Sequence, residues 1–321
     1  MRKLAVDTTT VNARDRLRQV PIQELVLPIV IVALIIVGVI IRPGIFLTSD
    51  NLLNVLTQAS ITGIIAIGMT FVIATGGIDL SVGSALAAAS IAGGLLMPYG
   101  SWMFMFGALA MALLIGAING AAIVWGKVVP FIATLAMLTI ARGLALWMSE
   151  RTPISLIQLD ILQWFGSGRV AGIPVPAVIF VLVTALGWVV LNRTTFGRRA
   201  IAVGGNRSAA RIAGIRPGRV IFAVYVLTGL CVGISAILLS GRLASASPVV
   251  GNLVELDAIA AVVIGGTALT GGKATVTGTF FGVITFGLIF NLLNLLNMPT
   301  EIQGIVKGLL ILVAVALQRR D

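Results

Sequence analysis

Between Asn192 and Arg219 the chain carries seven arginines (Arg193, Arg198, Arg199, Arg207, Arg211, Arg216 and Arg219) and no acid. On both sides of this stretch it is apolar for runs long enough to cross a bilayer, so the block must sit on one definite side of a membrane. Hydrophobic residues make up 58% of the 321 and charged residues only 10%, and the mean hydropathy of +1.10 is far from that of an ordinary soluble domain. The runs are continuous and do not alternate in period two, which favours helices over a barrel. The expected fold is an all-α integral membrane protein.

The topology can be counted outward from the arginines. Residues 1–24 are polar, and the apolar run from Leu25 to Ile41 ends in Arg42-Pro43 without a small-x-small cleavage site, so it reads as an uncleaved anchor. Further runs cover about 55–74, 84–98, 103–125, 130–148 and 174–191 before the arginine loop, and about 220–240, 256–270, 275–296 and 302–317 after it. That makes about ten transmembrane helices in one domain, residues 25–317. The cytoplasmic segments expected around it are 1–24, the loop 192–219 and a tail, 318–321. With both termini inside, the inner segments hold sixteen bases: Arg2, Lys3, Arg14, Arg16, Arg18, Lys127, the seven arginines, Lys273, Arg319 and Arg320. The outer loops hold four, Arg42, Arg151, Arg169 and Arg242. Basic residues gather on the cytoplasmic side of membrane proteins, so this split supports the count, and a miscount by one helix would scatter the charges.

The same charge distribution explains the net +11 without nucleic acid as a partner. There is no histidine and one cysteine, Cys231, which excludes a His/Cys metal site and an intrachain disulfide. Asp50, Glu150, Asp160, Glu255, Asp257 and Glu301 are expected in outer aqueous segments. The longest outer segment, 149–173, contains Trp164 and Phe165, suited to an interfacial or docking position.

Several patterns invite a sharper reading. GGTALTGGKAT, Gly265 to Thr275, resembles a phosphate-binding loop, but Thr267 and Ala274 stand where that motif needs glycine and Ser/Thr, and no strand precedes it. Any ATP chemistry must therefore come from another chain. TGGIDLSVGS (Thr75 to Ser84) and TGGKATVTGT (Thr270 to Thr279) share TGG and a glycine six residues later, through either an internal duplication or one backbone need met twice. GxxxG pairs at Gly116/Gly120, Gly229/Gly233, Gly278/Gly282 and Gly304/Gly308 predict close helix contacts.

Asp79 is the only acid this reading leaves outside an aqueous segment. It can cap the helix after the TGG break, as can Ser81, or line a pathway. Arg142 lies too deep to snorkel and needs an internal partner such as a row of carbonyls, whereas Lys307 can reach the interface. Asn119, Asn291 and Asn294 can handle sugar hydroxyls or bond between helices. Within the arginine stretch, Asn206 is a good N-cap, Arg207 to Ala213 can form two turns, and Gly214 suits the left-handed stop. Arg207 and Arg211 stack at i,i+4, which an acidic partner surface would stabilise.

AIGMTFVIATGGIDLSVGS, FGRRAIAVGGNRSAARIAGI and ELDAIAAVVIGGTALTGGK, in that order, resemble the ribose-type permeases of ATP-binding-cassette (ABC) sugar importers, over roughly residues 45–317. The resemblance implies a homodimeric permease in the bacterial inner membrane, with an ABC ATPase pair docked inside and a periplasmic sugar-binding protein outside. ATP and Mg would belong to the ATPase, and this chain would bind no cofactor and catalyse no reaction. Gly204, Gly205, Asn206, Arg207, Ala209, Ala210, Arg211, Gly214 and Ile215 match the family's ATPase-coupling segment. Ile201 and Ala213 depart from it, where relatives often carry an aromatic residue and serine. Asp79 and Asn119 are the substrate-path candidates. The competing function is an ion-gradient-driven secondary transporter, for which Asp79 is the sole plausible coupling carboxylate.

Overall fold

The structure, a computed structural model, describes residues 22–318. Except for residues 22–24 and 318, the expected cytoplasmic tails lie outside the described residues, together with their seven bases. In chain order the helices are α1 (Ile22–Ile41), α2 (Ser49–Ala74), α3 (Val82–Leu95), α4 (Ser101–Val124), α5 (Pro130–Met148), α6 (Asp160–Ser167) and α7 (Val175–Arg193). There follow α8 (Thr195–Gly205), α9 (Arg207–Ile212), α10 (Pro217–Leu243), α11 (Val254–Ile264), α12 (Val276–Leu295) and α13 (Thr300–Gln318). Each of the ten apolar runs contains one helix. Among the described residues, α2, α4, α5, α7, α10 and α12 are long and apolar enough to cross a membrane.

Local chemistry sets most helix ends. The Thr48 hydroxyl accepts from the Asn51 N–H at the start of α2. Pro130 and Pro217 occupy first-turn positions where no N–H is needed. α3 has 14 residues and α11 has 11, rising only about 21 and 16 Å at 1.5 Å per residue. Both adjoin a TGG turn: α2 ends at one, just before α3, and α11 ends before the other. Gly76 (φ +74°), Gly271 (+83°) and Gly272 (+79°) take the left-handed backbone there, which glycine adopts without Cβ strain. α11 ends earlier than hydropathy suggests, at Ile264 where the apolar run extends to about residue 270, whereas α2 ends at Ala74 as its run does.

α2, α3 and α10 form the centre. α3 is buried on nearly every side, as expected of a helix with no polar face, and its alanines and glycines allow tight packing. Three of the four GxxxG pairs make close crossings. A Cβ on Gly116 would lie 2.5 Å from the Tyr225 carbonyl oxygen, and one on Gly229 2.5 Å from that of Ala112, so α4 and α10 pack glycine face to glycine face. Cβ atoms on Gly278 and Gly282 would run into the carbonyl oxygens of Gly265 and Ala261. Gly304 and Gly308 differ, since a Cβ on either meets nothing within 4 Å.

Asp50, Arg169 and α6 lie at the end of the bundle opposite α8 and α9. Asp50 approaches Arg169 at 3.9 Å, and β1 (Ile154–Ser155) pairs antiparallel with β4 (Ser245–Ala246). A small antiparallel pair, β2 (Arg169–Val170) with β3 (Ile173–Pro174), follows α6. The α6 backbone packs on the end of α10, where a Cβ on Gly241 would lie 2.1 Å from the Leu162 carbonyl oxygen. Phe165 packs against the core, and Trp164 stays 48% exposed.

Four expectations are corrected. The stretch 192–219 is largely helical, since α8 and α9 account for most of it. Phe196, Ala200 and Val203, at i, i+4 and i+7, give α8 an apolar face that the arginine density conceals. Glu255 and Asp257 lie in the first turn of α11, where carboxylates face free N–H groups, and not in a loop. Glu255 is buried, and Asp257 pairs with Lys307 Nζ at 2.7 Å. Lys307 thus serves an internal partner instead of snorkelling, and Asp79 is not the sole acid inside the bundle.

Candidate functional site: a projecting helix and the glycine junction beneath it

α9 is short but well terminated. The Asn206 side-chain oxygen accepts from the Ala209 N–H at 2.9 Å. At the other end Ile215 N donates to Ala210 O and Gly214 N to Arg211 O, both at 3.0 Å. With Gly214 at φ +80°, this is a Schellman stop. The helix runs from Arg207 to Ile212, one residue short of the expected span. Only Ala210 is buried on it, while Arg207, Ala209 and Arg211 are exposed. Ile212 is 89% exposed. An isoleucine held that far out between arginines has no use in this chain's own core, and sequence reading passed over it because an Ile/Ala face normally points inward. Beside α9 a groove is lined by Arg211, Arg216, Arg219, Trp125 and Phe222.

The root of α9 is fixed to the bundle through glycines. A Cβ on Gly204 would lie 1.9 Å from the Ala74 carbonyl oxygen and 2.6 Å from Gly272 N, whereas one on Gly205 has only Gly272 Cα at 3.8 Å. Gly272 N donates to Ala74 O at 3.1 Å. Both TGG turns therefore meet at the end of α8. The repeated sequence marks two breaks that share one contact.

Beyond the first turn the chain forms a buried polar knot. The Asp79 carboxylate accepts from Ser81 N at 2.9 Å and Ser81 Oγ at 2.6 Å. Asn119 Nδ2 donates to Ser81 Oγ at 2.8 Å. Asp79 and Asn119 are thus brought together through Ser81, at 3% and 1% exposure. Ser81 occupies the N-cap position of α3 but makes no side-chain cap bond; its hydroxyl serves Asp79 and Asn119. The Ile78 carbonyl accepts from Tyr225 at 3.3 Å and Thr134 at 3.2 Å. Neither residue carried a signal in the sequence, since both lie within apolar helices far along the chain.

The remaining polar candidates have internal partners. Arg142 donates to the carbonyls of Pro248 (2.6 Å) and Val250 (2.9 Å), the row of acceptors its depth demands. Asn291 and Asn51 exchange amide hydrogen bonds between α12 and α2 at 2.7 and 3.1 Å. In the segment 265–275, Thr267 Oγ1 accepts from Thr275 N, and the Thr275 hydroxyl caps α12 by accepting from Gly278 N. These two bonds serve the fold. Among the described residues no group of three or more His, Cys, Asp or Glu is placed to hold a metal ion.

Residues 51–315 match the family model described as branched-chain amino acid transport system / permease component. The ribose import permease protein of Bacillus subtilis (strain 168) is 46% identical over 290 residues, covering 89% of this chain and 90% of its own length. That of Escherichia coli (strain K12) is 40% identical over 321 residues, covering 98% and 99%. The D-allose transport system permease protein of the same strain is 36% identical over 282 residues, covering 87% and 86%. No solved structure matches. With six apolar helices of membrane-crossing length among its described residues, the chain is a multi-pass protein of the bacterial inner membrane. It belongs to this family of transport-system permease components, among the ribose-type permeases of ABC sugar importers that its three motifs resemble.

Proposed function

We propose that the chain is the membrane-spanning subunit of an ABC importer that moves a monosaccharide, ribose or a related sugar, across the inner membrane by ATP-driven alternating access. It acts as a homodimer in the lipid bilayer, with ten transmembrane helices per subunit and both termini cytoplasmic. An ABC ATPase supplies the ATP and Mg chemistry, and a periplasmic sugar-binding protein delivers the substrate. The observation that carries this reading is α9, whose arginines and Ile212 project from the arginine-rich end while its root is wedged between both TGG turns. A partner that pulls on α9 acts on two helix breaks at once, the element an alternating-access switch requires.

In this reading Gly204 to Ile215 is the coupling segment. Asn206 and Gly214 shape the helix, Arg207 and Arg211 meet acidic groups of the ATPase, and Ile212 enters an apolar socket there. Asp79 and Asn119, tied through Ser81, hold the break beside the sugar path. The contact is testable by site-directed crosslinking. In a Cys231→Ser background, Ile212→Cys is expected to crosslink to the ATPase in membranes, and Leu253→Cys at the opposite end is not. Failure of Ile212→Cys to crosslink in an assembled complex would contradict the docking assignment.

A further inference from the structure

The sugar path proposed above has a second candidate station, at the opposite end of the bundle from α9. Asn54, Gln58 and Thr62 stand at i, i+4 and i+8 on α2, forming a polar stripe along one face of the helix. Asn54 and Gln58 are exposed. Side-chain amides on a membrane-crossing helix are costly against lipid and ordinarily face a cavity or another helix. Here they face an open-sided cavity of about 500 Å³ lined by α2, α11, α12 and α13, within the size range of small-molecule sites.

The facing walls continue the pattern. α12 contributes Phe286, Phe290 and Asn294 at i, i+4 and i+8, and α13 contributes Gln303 and Lys307. Gln303 Nε2 donates to Asn294 Oδ1 at 2.9 Å. Lys307 Nζ pairs with Asp257 at 2.7 Å and lies 5.2 Å from the Phe290 ring centroid. Gly304 is part of the wall, and a Cβ added there meets nothing within 4 Å. The lining therefore holds one cation and one anion that cancel, several neutral amides, and two aromatic rings.

The geometry points to a binding station for a neutral polyhydroxylated monosaccharide. Amides can donate to and accept from neighbouring hydroxyls, the Asp257–Lys307 pair offers one acceptor and one donor without selecting for net charge, and the phenyl rings suit the C–H face of a sugar ring. An acyl chain would strip water from these amides without replacing their hydrogen bonds. Gln58 is seventeen residues from Thr75 along α2, about 25 Å at helical rise. The station is thus separate from the Asp79–Ser81–Asn119 knot, on the outer side if the arginine end is cytoplasmic.

This inference rests on the sugar-importer reading, and the test keeps the two apart. The complete complex is reconstituted into proteoliposomes with its ATPase and sugar-binding protein. Gly304→Leu fills the cavity from one wall and Gln58→Leu removes an amide from another, and each is expected to lower ATP-driven ribose uptake about tenfold while the complex assembles. If Gly304→Leu disturbs assembly, Gln58→Leu decides. Asn294→Cys in the Cys231→Ser background is expected to react with a membrane-impermeant thiol reagent from outside, more slowly when ribose-loaded binding protein is present. Wild-type uptake in both assembled variants, or reaction of Asn294→Cys only with a lipid-soluble reagent, overturns the station and leaves the importer reading standing. Absence of ATP-driven uptake by the wild-type complex for ribose, other pentoses and hexoses overturns the reading itself.

Discussion

Reversing Arg207 and Arg211 together to glutamate is expected to lower sugar uptake by about tenfold or more while the partner ATPase continues to hydrolyse ATP. The fold gives the substitution a clean reading. Both side chains are exposed, so removing them leaves no cavity. Glutamate at position 207 falls in the first turn of α9, where a negative charge favours the helix, and its loss of stability at position 211 is only about 0.3–1 kcal/mol. The N-cap bond from Ala209 N to Asn206 and the Schellman stop remain. What changes is the surface offered to the partner, where losing a close charge pair costs about 2–5 kcal/mol, and 1.4 kcal/mol is already tenfold. Uptake and phosphate release measured in the same vesicles separate uncoupling from inactivation. Unchanged uptake by the double variant would count against α9 as the point of force entry.

Valine at Gly204 is expected to damage the protein more broadly. Its Cβ would sit 1.9 Å from the Ala74 carbonyl oxygen, and the contact is backbone on backbone, so no side chain can swing away. Relief requires α8 to lift from both TGG turns, breaking the Gly272 N to Ala74 O bond. Overpacking of this kind costs about 3 kcal/mol or more. The expected result is a lowered melting transition in detergent and near-complete loss of transport. Gly205→Ala is the internal control, because its nearest contact, Gly272 Cα, lies at 3.8 Å, and it should retain most of its stability and uptake. Equal damage from both would show that the junction is not governed by this contact.

The sequence made the apolar runs, the caps of α9 and the carbonyl partner of Arg142 legible because each depends on residues within a few turns or on a single physical demand. Hydropathy shows helices whose whole circumference is apolar. Asn206 and Gly214 announce their own backbone geometry. A buried guanidinium must find acceptors wherever it lies. The misses arose where the decisive partner is distant. α8 was hidden because its apolar face of Phe196, Ala200 and Val203 is short and surrounded by arginines. Lys307 looked like an interfacial residue until the fold brought Asp257 to it from fifty residues earlier in the chain. The two TGG segments were visible as an echo, but only the fold shows that they touch each other and Gly204, since no periodicity encodes a contact among three separate turns. Asp79 and Asn119 could be named individually, while the Ser81 hydroxyl that joins them could not.

The central claim is that ATP hydrolysed by a separate subunit on the α9 side drives uptake. Its most direct test is sugar uptake into proteoliposomes containing this chain with and without its ATPase, with the sugar-binding protein outside and ATP supplied on the α9 side. Uptake that requires both the ATPase and ATP, and stays at background when the chain is alone under an imposed proton or sodium gradient, is the predicted result. Gradient-driven accumulation by the chain alone would contradict it.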